Sequence, residues 1–273
     1  HYFLQMSGEF NTATLKANEE LKFLLKKEES LEEIYKQMES QNILDIIERN
    51  KHLYGAKKSI DSNNFEMMRV IDSDFPNELK KYNGTPPVIY LKGKKSILDM
   101  NSIAAVGTRE LFEEDENDKK AINKAKEFLE DKIKNNYAIV SGLALGCDTV
   151  AHKTAIEKGG KTIAVLGAPL DRYYPPENKE LQKQMEKTQL VLSQYPFGIN
   201  VWPNFFAHRN ITTVALAKEG ILVIKTKEKS GTNYAIKNCV MQNKKLYAID
   251  SKENRDAFNS GKILNKYYEI NWV

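Results

Sequence analysis

Cysteine is scarce in this chain, and its two cysteines, Cys147 and Cys239, are too few and too far apart for a disulfide scaffold or a zinc site. Each sits in a helical pattern, so both are expected as reduced, packed thiols. No apolar run approaches the roughly 18 residues of a membrane helix, and no charged, apolar, small-residue order resembles a signal peptide. A soluble, cytoplasmic protein without a membrane partner is the expectation. Excess charge is also small: 41 Lys+Arg against 37 Asp+Glu leave +4, too little for indiscriminate polyanion binding. Any nucleic-acid role must come from local placement of charge. Missing too is the dinucleotide fingerprint G-x-G-x-x-G with its acidic residue about 20 positions on, since Gly142-x3-Gly146 has the wrong spacing. With no G-x-x-x-x-G-K-[ST] loop either, a nicotinamide or flavin enzyme, a kinase and a motor lack their central parts, and no cofactor is expected.

What is present is enough to bury a core: 273 residues, 41% hydrophobic. Residues 1–10 read as a non-native remnant around Met6 and are set aside. Residues 11–62 carry Glu, Lys, Leu and Ile at helical spacing, as in Leu31, Ile34, Tyr35 and Met38, which predicts a small helical domain. Asp61-Ser62-Asn63-Asn64 has the chemistry of a linker. Residues 63–273 form the second domain.

In it, short apolar runs alternate with helical patterns. The runs are Val88-Leu91, Ile103-Val106, Ala138-Val140, Thr162-Leu166, Leu190-Leu192, Ile221-Ile224 and Leu246-Ile249. Lacking polar alternation, they suit parallel strands buried on both faces. Helices are predicted near Asp118-Lys134, Thr149-Lys158, Asn178-Lys187, Arg209-Lys218 and Asn233-Gln242. The fold class is therefore α/β: an extended Rossmann-like, doubly wound, mainly parallel sheet behind a small helical domain.

Such sheets bind ligands beyond the carboxyl ends of their strands, where helix N-termini offer free N–H groups. Gly107, Thr108 and Arg109 follow one strand; Ser141, Gly142 and Gly146 follow the next; Gly167 ends a third; Lys225, Ser230, Gly231 and Thr232 follow a fourth. One glycine turn is explained by turn geometry alone. Several on one rim, joined by Arg109 and by Arg209 with Asn210, make a phosphate track.

Asp148 and His152 stand one helical turn apart, a spacing that could serve a metal or a general base. No further ligand is evident, so Asp148 is read as a helix N-cap and His152 as a hydrogen-bonding tie to a neighbouring loop. Neither a metal site nor a catalytic residue is assigned, because Ser141 and Ser230 lack a nucleophile context such as G-x-S-x-G. Aromatics gather in Tyr173-Tyr174-Pro175-Pro176, Tyr195-Pro196-Phe197-Gly198 and Trp202-Pro203-Asn204-Phe205-Phe206, read as loops. Such rings either pack loops onto the sheet or stack on unpaired bases, and Tyr174 and Trp202 are the stacking candidates.

Taken in order, these motifs resemble the DprA/Smf family of DNA-processing proteins over about Phe75 to Asp250. The resemblance rests on Pro86-Pro87-Val88-Ile89-Tyr90-Leu91-Lys92-Gly93, Ala105-Val106-Gly107-Thr108-Arg109, Ser141-Gly142-Leu143-Ala144-x-Gly146-x-Asp148-x2-Ala151-His152, Leu170-Asp171-x-Tyr173-Tyr174-Pro175, Phe206-x2-Arg209-Asn210 and Ser230-Gly231-Thr232. It implies a dimerising, Rossmann-like, non-enzymatic domain that binds single-stranded DNA and helps load a RecA-type recombinase during natural transformation. Arg109, Ser141, Gly142, Arg209, Asn210, Ser230 and Gly231 would line the strand-binding pocket. The chain departs from the family pattern at Leu145, Gln194, Ile211, Lys225 and Ala235. Loss of positive charge at Leu145 and Ile211 would weaken phosphate binding, with Lys225 as a partial replacement.

A second reading stays open. The superfamily resembles LOG-type phosphoribohydrolases and signalling domains of bacterial phage defence, which hold a nucleotide at the same edge. The hydrolase form would need P-G-G-x-G-T-x2-E, and the nearest stretch, Gly167-Ala168-Pro169-Leu170, lacks its glutamate. A nucleotide sensor needs none. A purely structural adaptor would leave the arginine and glycine rim without purpose.

Overall fold

A computed structural model describes residues 65–112, 114–260 and 268–273. The segments read as a remnant and a helical domain lie outside the described residues, as does the linker.

The apolar runs all become strands. In chain order the elements are β1 (Glu66–Arg69), α1 (Asn77–Lys81), β2 (Val88–Gly93), β3 (Asn101–Val106), α2 (Glu116–Lys134), β4 (Tyr137–Ser141), α3 (Cys147–Glu157), β5 (Lys161–Leu166), α4 (Lys179–Thr188), β6 (Leu190–Ser193), α5 (Pro203–Leu216), β7 (Gly220–Val223), α6 (Thr232–Met241), β8 (Lys245–Ala248), α7 (Lys252–Asn259) and β9 (Ile270–Trp272). They build a nine-stranded sheet of order β1-β2-β6-β5-β4-β3-β7-β8-β9. From β6 to β9 every pairing is parallel. The chain steps outward from β3 through β4 and β5 to β6, then returns to pair β7 on the other side of β3. That reversal opens a crevice at the carboxyl ends of β3 and β7.

Apolar residues fill both sides of the central strands, which is why the runs lack polar alternation. On β3, Ala104 and Val106 enter one core with Val140, Val165 and Val214, while Ile103 and Ala105 enter the other with Ala121, Ala125 and Ala151. Cys147 and Cys239 are both buried and unbridged.

Three expectations are corrected. The run at Val88 is an antiparallel strand, paired to β6 and β1, because burial on both faces removes the alternation without fixing direction. The edge strands β1 and β9 escape the sequence pattern; β9 is three residues with a polar centre. Helix α5 starts at Pro203 rather than Arg209, since proline's fixed φ suits the first helical turn. Phe205 and Phe206 are therefore helical, not loop, residues.

At its far end α5 is capped by a side chain from the β8 approach. The buried Lys244 ammonium donates to the carbonyls of Val214, Ala215 and Ala217 at 2.7, 2.8 and 2.9 Å, where the helix dipole is negative.

Candidate nucleic-acid interface

Two adjoining cavities occupy the crevice. The larger, about 400 Å³, is lined by Gly107 to Glu110, Gly142, Asp148, Phe206, Arg209, Asn210 and the Lys227 to Tyr234 side. The smaller, about 230 Å³, lies between Arg109, Gly142, Gly167, Tyr174 and Glu177. Arg109, Gly142, Ala144, Phe206 and Arg209 line both, so they form one cleft with a shared wall.

The two arginines meet there in different states. Arg109 is exposed; its guanidinium stands 5.3 Å from the centre of the Phe206 ring and makes no ion pair among the described residues. Arg209 is buried: its Nη1 donates to the Gly142 carbonyl at 2.7 Å and to that of Val165, and its Nε to Asn210 Oδ1 at 3.2 Å. Burial lowers its pKa, opposed by the nearby Asp148 carboxylate. The guanidinium lies flat on Gly142, where a Cβ would fall 2.2 Å from Nη1 and 2.4 Å from both Cζ and Nη2. Only glycine admits that approach.

Asp148 completes the floor. It is not the N-cap: Gly146, at φ 71°, makes the turn and α3 already begins at Cys147. Instead the carboxylate folds back to accept from the N–H groups of Gly142 and Ala144 at 3.1 and 3.2 Å. Burial pushes its pKa up against the opposing pull of Arg209 and of those N–H groups. A Cβ on Gly146 would meet the carbonyl oxygens of Thr108 and Arg109 at 2.6 and 2.7 Å, so this turn also presses on the loop that carries Arg109.

Several expected contacts go elsewhere. Ser141 is fully buried and its hydroxyl donates to Ala105 at 2.7 Å, tying β4 to β3 rather than facing the cleft. The Lys225 ammonium turns to buried Asp118 on α2 and does not line either cavity. Its carbonyl accepts from the Thr108 N–H at 2.9 Å. Lys227 and Lys229 line the large cavity instead; Lys227 pairs with Glu110, while Lys229 is exposed and makes no ion pair among the described residues. His152 ties to a strand, not a loop: Nδ1 meets Thr162 Oγ1 at 2.7 Å, and because that hydroxyl donates to Ile139 at 2.7 Å the proton is assigned to Nδ1. Burial, with Arg209 nearby, pulls the His152 pKa down to about 3.

The remaining candidates do meet. The Asn210 amide donates to the Gly231 carbonyl at 3.4 Å, linking α5 to the turn before α6. There the Ser230 hydroxyl accepts from the Thr232 N–H at 3.2 Å. Gly167 lies under the edge of the Phe206 ring, with a built Cβ 2.4 Å away. Tyr174 is 40% exposed and its ring is 5.1 Å from that of Phe206, giving the series Tyr174, Phe206, Arg109 from the smaller cavity onto the shared wall. Trp202, 60% exposed, lines neither cavity. Phe206 was missed as a site residue, although its spacing to Arg209 puts it nearly one helical turn away. Tyr195, Phe197 and Phe205 are buried, with Tyr195 stacked at 4.0 Å on Phe205 of α5, so the loop rings Tyr195 and Phe197 pack inward.

A family model described as DNA recombination-mediator protein A matches residues 66–267. The chain belongs to that family. It is 32% identical over 204 residues to the DNA processing protein DprA of Streptococcus pneumoniae, covering 75% of this chain and 70% of that protein. Protein Smf of Synechocystis is 30% identical over 204 residues, with 73% of this chain and 50% of that protein covered. The chain thus spans about half to two thirds or slightly more of these relatives. Among solved structures, Streptococcus pneumoniae DNA processing protein A superposes with TM-score 0.68 at 28% identity, covering 80% of this chain and 74% of that one. DNA processing protein A of Helicobacter pylori, studied for its single-stranded DNA binding mode, gives TM-score 0.62 at 22% identity, covering 75% and 92%. The fold class expected from the sequence is that of these relatives.

Proposed function

We propose that the cleft binds single-stranded DNA and that the protein acts as a recombination mediator. One observation carries the reading: a free, exposed arginine lies on an aromatic wall at the topological switch point. A guanidinium can pair with a phosphate while the neighbouring rings stack on unpaired bases, which a duplex would keep hidden. The Helicobacter pylori relative's stated subject, single-stranded DNA binding, supports this reading. Loading of a RecA-type recombinase, homodimerisation, a preceding helical domain over 11–62, a cytoplasmic setting and the absence of a catalysed reaction are parts of the same proposal.

The test is a titration of labelled single-stranded and duplex oligonucleotides at about 50 and 200 mM salt. Two to three phosphate contacts predict a slope of about −1.4 to −2.1 in log K against log salt, a loss of roughly seven- to eighteenfold over that range. Equal affinity for both forms, without salt dependence, would refute the reading. A nucleotide sensor retains one supporting observation, a cavity of about 400 Å³ that suits a nucleotide. A nucleotide at a hundred times its Kd would then stabilise the protein by about 2.7 kcal/mol in a thermal-shift screen.

A further inference from the structure

The two cavities differ in their lining. Apart from the wall they share, the larger one holds Lys227 and Lys229, the carboxylates of Glu110, paired with Lys227, and of Asp148, held by backbone N–H groups, and the Ser230 to Thr232 turn. The smaller holds Leu145, Gly167, Tyr174, Pro175, Pro176 and a single charged group, Glu177. Glu177 is exposed and its carboxylate has no hydrogen bond or ion pair among the described residues. Its place is fixed by the next residue: buried Asn178 donates to the Leu143 carbonyl at 3.0 Å and to the Thr149 hydroxyl at 2.8 Å, fastening this turn to the loop after β4. The turn that carries this carboxylate is therefore fixed beside a recess lined by Leu145, Tyr174, Pro175, Pro176 and Phe206 between the shared arginines, on the side away from the lysines.

We infer that the smaller cavity is a nucleobase pocket that reads N–H donors through Glu177, with guanine its preferred occupant. This rests on the cleft being a single-strand site. A carboxylate repels phosphate, so the backbone is directed to the lysine side and a base to the recess. Among the bases, guanine alone places two adjacent donors, N1–H and the N2 amino group, on one edge, matching both oxygens of a carboxylate. Cytosine and adenine set one amino group beside a bare ring nitrogen. Thymine flanks its single N–H with two carbonyl oxygens. Both arrangements leave a lone pair facing the carboxylate. Tyr174 and Phe206 supply ring surface for the base whatever its identity.

The experiment is a competition titration of the full chain with short oligothymidylates carrying one central guanine, hypoxanthine, cytosine, adenine or thymine. Guanine should improve affinity about tenfold over thymine, as a bidentate base contact does. Hypoxanthine, which keeps N1–H but lacks the amino group, should fall between them. Glu177→Gln should reduce the guanine-to-thymine ratio to within about twofold. Equal affinities across the series, or an unchanged ratio in Glu177→Gln, would overturn the base pocket while leaving the single-strand reading intact. Failure of every oligonucleotide to bind would overturn the single-strand reading itself, and the pocket with it.

Discussion

Replacing Gly142 by alanine tests the floor of the cleft directly. The new Cβ would lie 2.2 Å from Arg209 Nη1, so the guanidinium or the loop must yield by more than about 1 Å to restore ordinary contact. Neither can do so freely. Nη1 is held by the carbonyls of Gly142 and Val165, and the loop is held by Asp148 through the N–H groups of Gly142 and Ala144. Overpacking costs about 1–3 kcal/mol, and a hydrogen bond from a charged group is worth about 1.5–3 kcal/mol. These terms overlap, so we expect a net loss of about 3 kcal/mol. For a domain of this size that lowers Tm by roughly 6–12 °C.

Gly231→Ala is the matched control. No atom of the described residues lies within 4 Å of a Cβ added there, and its φ of −59° suits alanine. Its stability should stay within about 0.5 kcal/mol of the parent. Thermal and urea unfolding of both variants, with single-strand titration of Gly142→Ala, complete the assay. Equal Tm for the two variants, with Gly142→Ala binding oligonucleotide as the parent does, would refute the account of a guanidinium seated on Gly142.

Arg109→Ala should lower the magnitude of the single-strand salt slope by about 0.7, one phosphate contact, without changing Tm by more than a degree or two; an unchanged slope would remove Arg109 from the backbone contacts. Tyr174→Ala should cost about tenfold in affinity and Trp202→Ala less than threefold, because only Tyr174 joins the cleft wall. His152 has a folded pKa of about 3 against an unfolded value near 6.5, so the unfolded chain takes up the proton first. Its contribution to stability is complete above pH 6.5 and is lost as pH falls toward 3, at up to about 1.4 kcal/mol per pH unit; His152→Asn should flatten the difference in unfolding free energy between pH 4 and 7. Lys244→Met should destabilise by about 2–3 kcal/mol in urea by leaving the last carbonyls of α5 without their donor.

The central sheet was legible because burial on both faces leaves a signature in consecutive residues, as in Ile103-Ala104-Ala105-Val106. Direction was not, since the hydrophobic pattern of Val88-Leu91 is the same for a parallel or an antiparallel neighbour. Strand ends supplied Arg109 and Gly142 to the carboxyl rim, and Arg209 and Asn210, midway along α5, line the same cleft. Which side chains face that cleft depends on local register. Lys225, Lys227 and Lys229 alternate after β7, and the first turns to Asp118 while the other two reach the cavity. Nothing in the residue types separates them. Likewise an arginine reads identically whether free or buried, and the contact between Gly142 and Arg209 exists only after β4, β5 and α5 come together.

The division between the arginines also decides where charge acts. Arg209 is buried in the floor near Asp148 and spends its donors on protein carbonyls, so its rigid fork serves to set the loop after β4. At the rim Lys227 is answered by Glu110, which leaves Arg109 and Lys229 as the cleft cations without an ion pair among the described residues. Such exposed cations attract phosphate through solvent and are screened by salt, whereas the floor is not. Substitutions at the rim should therefore appear first in the salt slope, and substitutions at the floor first in unfolding. A preorganised floor with a sparsely charged rim suits a binder whose affinity comes as much from stacking as from charge, since stacking persists when salt has weakened the phosphate contacts.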